Sequence, residues 1–257
     1  MSGQQTWYFE YKIVRDRIGL LGDVATLFGM LGINIQTVNS LGREIRGFLL
    51  QADEQQTRQL LMALANFESI EVTSLRQPSL VDYICLRHGK AVSAEPGRPP
   101  VFRFLRSDLD VVIDLMASYL ADRAPVTIGL RGSPNVGKTE ATVAACVYAN
   151  KRWVVVSGTI FRQVLRTDLD ERDYSADTVL LIDAITSAHR PVPEHRRLIG
   201  QVLARPVNKV IEHPDIFLRE GLLRPEDLDV IIEVRAKPED DICYDRIPMS
   251  VNSFDCS

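Results

Sequence analysis

Gly132-Ser133-Pro134-Asn135-Val136-Gly137-Lys138-Thr139 decides the reading of this chain, because of what stands on either side of it. Residues 126–130 form an apolar run suited to a buried strand, and residues 140–149 carry a helical pattern. A glycine-bearing turn between strand and helix aims successive backbone N–H groups into one concavity, and the helix adds the positive end of its dipole. Anions bind in such a place. Gly132 and Gly137 permit the turn, Lys138 is placed to reach terminal phosphates, and the Thr139 hydroxyl suits Mg²⁺. A nucleotide is the expected ligand, held by Gly132, Asn135, Gly137, Lys138 and Thr139.

The pattern G-x-x-x-x-G-K-[ST] in this context is that of a P-loop, or Walker A motif. Downstream, WVVVS (153–157) and VLLID (179–183) are continuous apolar runs of the kind buried parallel strands show. Asp183 closes the second run as a Walker B acid does, so Thr139 and Asp183 are the expected Mg²⁺ residues.

The loop's wording resembles that of translation-associated GTPases, but the D-x-x-G and N-K-x-D segments of that family are missing. Asp183 is followed by Ala184-Ile185-Thr186, and Asn208-Lys209 by Val210-Ile211. ATP is therefore expected over GTP. AAA and RecA ATPases place a water-activating glutamate near the Walker B acid, where this chain has Ala184. Ser157-Gly158-Thr159-Ile160-Phe161-Arg162 resembles the S-x-G-x-x-[FL]-R segment of nucleoside monophosphate kinases. That resemblance implies that Gly158 and Thr159 approach an acceptor and that Arg162 binds its phosphate or carboxylate. The D-G-F-P-R segment of those kinases is absent, which leaves the acceptor open. Lys138, Asp183 and Arg162 are the expected catalytic residues; Arg190, Arg196, Arg197 and Arg205 are candidates for a lid over the γ-phosphate or for a solvated helix face.

The first seventy-odd residues read strand, helix, strand, strand, helix, strand. WYFEYKIV (7–14) suits a half-buried strand, and Leu20, Val24, Leu27, Phe28 and Leu31 recur at helical spacing before Gly32. Residues 33–38, 45–51 and 70–75 supply the other strands, and Asp53 with Gln56 introduces the second helix as a capping pair. The order βαββαβ is that of a ferredoxin-like α+β domain with both helices on one face of an antiparallel sheet. Asp16-Arg17-Ile18-Gly19-Leu20-Leu21 and Gly32-Ile33-Asn34-Ile35 also resemble the ACT family of regulatory domains. The resemblance implies dimerisation through this domain and an amino-acid effector lined by Asp16, Gly19 and Asn34, although Ile18 stands where many members have proline.

Between the two parts, residues 81–86 suit a strand, and Arg87-His88-Gly89 resembles the active-site tripeptide of histidine phosphatases. A second fold for that chemistry does not fit before the glycine loop, so His88 reads as a loop residue. Residues 91–100 are loop-like in composition, and Ser107 is placed to cap a helix with Leu109, Val112, Ile113, Met116 and Leu120 on one stripe.

The chain has 257 residues, 46% hydrophobic and 25% charged, with net charge −4, so a general nucleic-acid footprint is missing. Four scattered cysteines form no C-x-x-C, and the four histidines show no zinc spacing. No apolar run nears the roughly 18 residues of a membrane span, and the N-terminus lacks signal-peptide character; a cytoplasmic location is expected. The expected architecture is an ACT-like domain (1–77), a connector (78–106) and an α/β P-loop domain with a mostly parallel sheet (107–257). It resembles a group of uncharacterised bacterial proteins that join these two parts. The expected function is an ATP- and Mg²⁺-dependent small-molecule kinase-like phosphotransferase under ACT-like control. The alternative is a weakly hydrolysing, nucleotide-dependent regulator acting through a protein partner.

Overall fold

The computed structural model describes residues 3–95, 97–121, 124–158, 164–189, 192–240 and 242, and it divides into two compact units, residues 1–92 and 93–257. The first runs β1 (Gln5–Ile13), α1 (Leu20–Met30), β2 (Asn34–Ser40), β3 (Ile45–Ala52), α2 (Glu54–Leu64), β4 (Ile70–Arg76) and α3 (Leu80–His88). Its strands make one antiparallel sheet in the order β2-β3-β1-β4.

Alternation along β1 and β3 sends Phe9, Tyr11, Phe48 and Leu50 to one face, where α1 and α2 add Val24, Phe28, Leu60 and Leu64. Phe28 meets Phe9 edge-on with ring centroids 5.5 Å apart. Asp53 and Gln56 form the capping pair, each side chain accepting the other's backbone N–H at 2.8 Å. The Gln56 amide also donates to the carbonyls of Leu31 (3.1 Å) and Gly32 (3.0 Å), which fastens the start of α2 to the end of α1.

Residues 81–86, expected as a strand, are helical, and the reason is local. Ser79 and Asp82 make a capping box, and Gly89 closes the helix at φ 64°. Arg87-His88-Gly89 is thus a helix terminus rather than a strand exit. The helix sets Cys85 and Leu86 against Tyr8 and Leu49, on the sheet face opposite Phe9 and Phe48. Helices therefore pack on both faces, where the sequence predicted helices on one. A Cβ on Gly47 would stand 2.8 Å from the Leu41 side chain and 2.9 Å from that of Leu86, so a larger residue there would make these leucines shift.

The second unit runs β5 (Ala94–Glu95), β6 (Val101–Leu105), α4 (Leu109–Ala121), β7 (Thr127–Gly132), α5 (Lys138–Tyr148), β8 (Arg152–Gly158) and β9 (Val164–Leu165). It continues through β10 (Thr178–Asp183), α6 (Ala184–His189), α7 (Pro193–Ala204), β11 (Asn208–Glu212), α8 (Pro214–Arg219) and β12 (Val230–Arg235). The strand order is β5-β6-β12-β7-β11-β10-β8-β9, parallel throughout except for the two-residue strands β5 and β9 at the edges. β6 falls within the expected connector, and its Phe102 and Phe104 alternate into the core. A 3-10 turn, Arg106–Asp108, leads into α4, and Asp108 rather than Ser107 takes the free Leu105 N–H (3.3 Å).

β10 is buried at every position, as a strand covered on both faces must be. Leu180 and Ile182 pack with Leu198, Ile199 and Val202 of α7 and Phe217 of α8. Since the neighbouring strands are parallel, β7, β8, β10 and β11 all end at one edge, where open α/β sheets place their ligand sites. No described helix is long and apolar enough to cross a membrane.

Candidate functional site

The loop after β7 is shaped by close approach. A Cβ on Gly132 would lie 2.5 Å from the Val234 carbonyl oxygen, and one on Gly137 would lie 2.8 Å from the Leu109 side chain. Gly137 has φ 94° and Asn135 φ 60°, both in the left-handed region that a chain enters to turn its N–H groups inward. Arg106 holds the turn from outside, donating to the Asn135 carbonyl at 2.8 Å. Lys138, buried at the start of α5, donates to the carbonyls of Gly132 (3.0 Å) and Ser133 (2.8 Å). Burial pushes its pKa down, against the pull of Glu212, Asp183 and Glu140.

Thr139, the next residue, donates its hydroxyl to Glu212 Oε1 at 2.6 Å. Glu212 ends β11, the strand between β7 and β10, and it pairs in register with Asp183. Burial raises the Glu212 pKa, the Thr139 hydrogen bond lowers it, and Asp183 raises it again, for a net upward shift. His213 follows at φ 60°, and burial together with Lys138 pushes its pKa down to about 4, so it is neutral at pH 7. Thr139, Thr142, Ser157, Gly158, Asp183 and Glu212 line a cleft of about 350 Å³ open to solvent.

Asp183 is engaged on its own side. Oδ1 accepts the N–H groups of Ile185 (2.9 Å) and Thr186 (3.3 Å), and Oδ2 accepts the Thr186 hydroxyl (2.8 Å), so the carboxylate caps α6. Its backbone N–H donates to Ser157 Oγ (3.1 Å), which shares a 2.8 Å bond with Ser187 Oγ. His195 Nδ1 donates to the Arg166 carbonyl at 2.7 Å, and its Nε2 lies 3.1 Å from Ser187 Oγ, which itself donates to the Asp183 carbonyl at 2.9 Å. The tie joins the end of β8 to α6 and α7.

The expected residues are therefore distributed as follows. Gly132, Asn135, Gly137, Lys138 and Thr139 form one loop and helix start, and Asp183 lines the same cleft as Thr139. Ser157 and Gly158 line the same cleft, whereas Thr159, Arg162 and Arg190 lie outside the described residues. Arg205 is at the other end of the sheet, before β11, with its guanidinium 4.0 Å over the Tyr174 ring, so it is no lid over the loop. Arg196 lines a separate groove with Ser187, Phe217 and Glu220. In the first unit, Asp16 lies in the β1–α1 loop, Gly19 caps α1 at φ 85°, and Asn34 opens β2.

Glu212 and His213 were not anticipated. The signal in the sequence is an acid closing Val210-Ile211, too short an apolar run to stand out.

The residues present suit a hard divalent cation, because a hydroxyl and two carboxylates are oxygen donors. Among the described residues no group of three or more His, Cys, Asp or Glu could hold a metal ion, so further ligands would have to come from a nucleotide and water.

A family model described as "Protein of unknown function (DUF3388)" matches residues 72–255. The "Uncharacterized protein YmfK" of Bacillus subtilis (strain 168) is 41% identical over 240 residues, covering 93% of this chain and 89% of that protein. A solved structure, phospho-2-dehydro-3-deoxyheptonate aldolase from Thermotoga maritima, aligns with 90% of this chain and 69% of its own at 14% identity. Its TM-score is 0.21, too low to carry an argument.

Proposed function

This chain belongs to the family described as "Protein of unknown function (DUF3388)", a description that names no reaction, and from its site we propose that it binds ATP with Mg²⁺ and passes the terminal phosphoryl group to a small-molecule acceptor. The observation that carries the reading is the Gly132–Thr139 turn between β7 and α5, with a buried Lys138 beside it and Thr139, bonded to Glu212, lining one cleft with Asp183. In this reading the turn is a P-loop. Its N–H groups and the start of α5 bind the phosphates, and Lys138 exchanges the Gly132 and Ser133 carbonyls for phosphate oxygens. Thr139, with the carboxylates that close β10 and β11 beside it, would hold Mg²⁺, which would supply charge neutralisation for the phosphates. Ser157 and Gly158, the described part of the kinase-like segment, line the cleft, and in this reading the acceptor binds beside them.

The first unit is read as a ferredoxin-like, ACT-like domain that tunes this activity and dimerises the chain. Its βαββαβ order and β2-β3-β1-β4 sheet support that assignment, with Asp16, Gly19 and Asn34 as effector residues.

Isothermal calorimetry with ATP and GTP, followed by incubation of labelled ATP with pools of metabolites, tests the proposal. ATP binding that Lys138→Ala weakens at least tenfold, and label moving to an acceptor, are the expected results. One observation favours the second reading, a nucleotide-dependent regulator: both Asp183 oxygens cap α6, and Ala184 follows it, which suits slow turnover. Bound but unreacted ATP that changes sedimentation or partner capture would select it.

A further inference from the structure

The Walker B pattern puts the cation-side acid at Asp183, yet the carboxylate that touches Thr139 belongs to Glu212. A threonine hydroxyl has one proton and two lone pairs. Thr139 spends the proton on Glu212 Oε1 at 2.6 Å, which fixes the rotation of the hydroxyl and leaves its lone pairs pointing elsewhere. Asp183 is the register partner of Glu212 on the next strand, but three of its roughly four acceptor positions are taken by Ile185 and Thr186 at the start of α6. The topology explains the difference. β11 stands between β7 and β10, so the end of β11 is one strand nearer to the loop than the end of β10.

We infer that Glu212 is the positioning residue for the divalent cation: it orients the Thr139 hydroxyl toward the ion and supplies the nearer negative charge, while Asp183 acts chiefly as the cap of α6. This rests on the nucleotide reading above and names the residue within it on which cation dependence turns.

The test measures ATP affinity by calorimetry with Mg²⁺ and with EDTA, using the full chain. The wild type is expected to gain at least tenfold in affinity from Mg²⁺. Glu212→Ala and Thr139→Ala should each lose most of that gain; Glu212→Ala should also keep the affinity seen in EDTA within about threefold, since the loop, Lys138 and Thr139 all remain. The double variant should lose no more than either single one, because the two residues act as a unit. Glu212→Gln preserves size and an acceptor for the hydroxyl, so it should melt close to wild type yet still lose most of the gain, its charge being gone. Manganese binding followed by electron paramagnetic resonance gives the same comparison without any turnover.

Two outcomes are separable. A wild type that gains from Mg²⁺ while Glu212→Gln and Glu212→Ala gain equally would overturn this inference and leave the nucleotide reading standing. A wild type that binds no ATP in either buffer would overturn both.

Discussion

Gly132 has no room for a side chain, since the atom a Cβ would meet is the Val234 carbonyl oxygen of the backbone, which cannot step aside as a flexible side chain does. Gly132→Ala is therefore expected to cost about 1–3 kcal/mol of stability, as overpacking does, and to weaken ATP binding by distorting the loop. Urea unfolding and calorimetry on the same variant read the two effects. At Gly137 the obstacle is Leu109, a side chain with freedom to move, but the backbone conformation at φ 94° penalises any substitution as well. These two glycines and Lys138 could be located from the sequence because the G-x-x-x-x-G-K-T spacing states a local backbone requirement. Glu212 could not, because nothing within reach along the chain says that it will meet Thr139.

At the level of elements, α3 depends on one carboxylate. Asp82 accepts from Ser79 N (2.6 Å) and Ser79 Oγ (2.7 Å), and Arg76 grips it through two nitrogens. Burial raises its pKa, but the Arg76 and Ser79 bonds together lower it further, so the net shift is downward. A depressed folded pKa means stability that is present above the unfolded value of 3.8 and is lost as pH falls through the folded one. Asp82→Asn is thus expected to destabilise the first unit by about 1–2 kcal/mol at pH 7, from the weakened cap and ion pair, with Arg76 half exposed. The gap from wild type should stay constant down to about pH 5 and close below pH 4, as thermal melts across that range would show. A second element-level tie is His195, which links α7 to α6 and to the Arg166 carbonyl. His195→Ala takes the imidazole donor from that carbonyl while Ser187 keeps Ser157 and the Asp183 carbonyl, at a cost of about 1–2 kcal/mol, and hydrogen exchange should quicken in α6 and α7 before the strands.

For the whole molecule, the proposed effector role of the first unit predicts a raised melting temperature with one or a few of the twenty amino acids, abolished in Asn34→Ala. A flat thermal-shift screen would leave that sheet as a dimerisation element alone. The missing N-K-x-D segment predicts that ATP outcompetes GTP, and a fluorescent-nucleotide displacement assay decides it.

What the sequence determined by itself was whatever is encoded within a few residues. The strand–loop–helix at Gly132–Thr139, the Asp53–Gln56 cap, the βαββαβ order and the buried character of β10 all follow from spacing, period and turn chemistry. Even α3 was written locally, in Ser79, Asp82 and Gly89, though the short apolar run between them pointed to a strand. Only tertiary structure decided which strands are neighbours. Placing β11 between β7 and β10 brings Glu212 rather than Asp183 onto Thr139 and sends Arg205 to the far end of the sheet, and pairing with β12 draws β6 out of the expected connector into the sheet. Strand order is settled by which faces bury one another across long stretches of chain, and side-chain pattern along any one strand is blind to that choice.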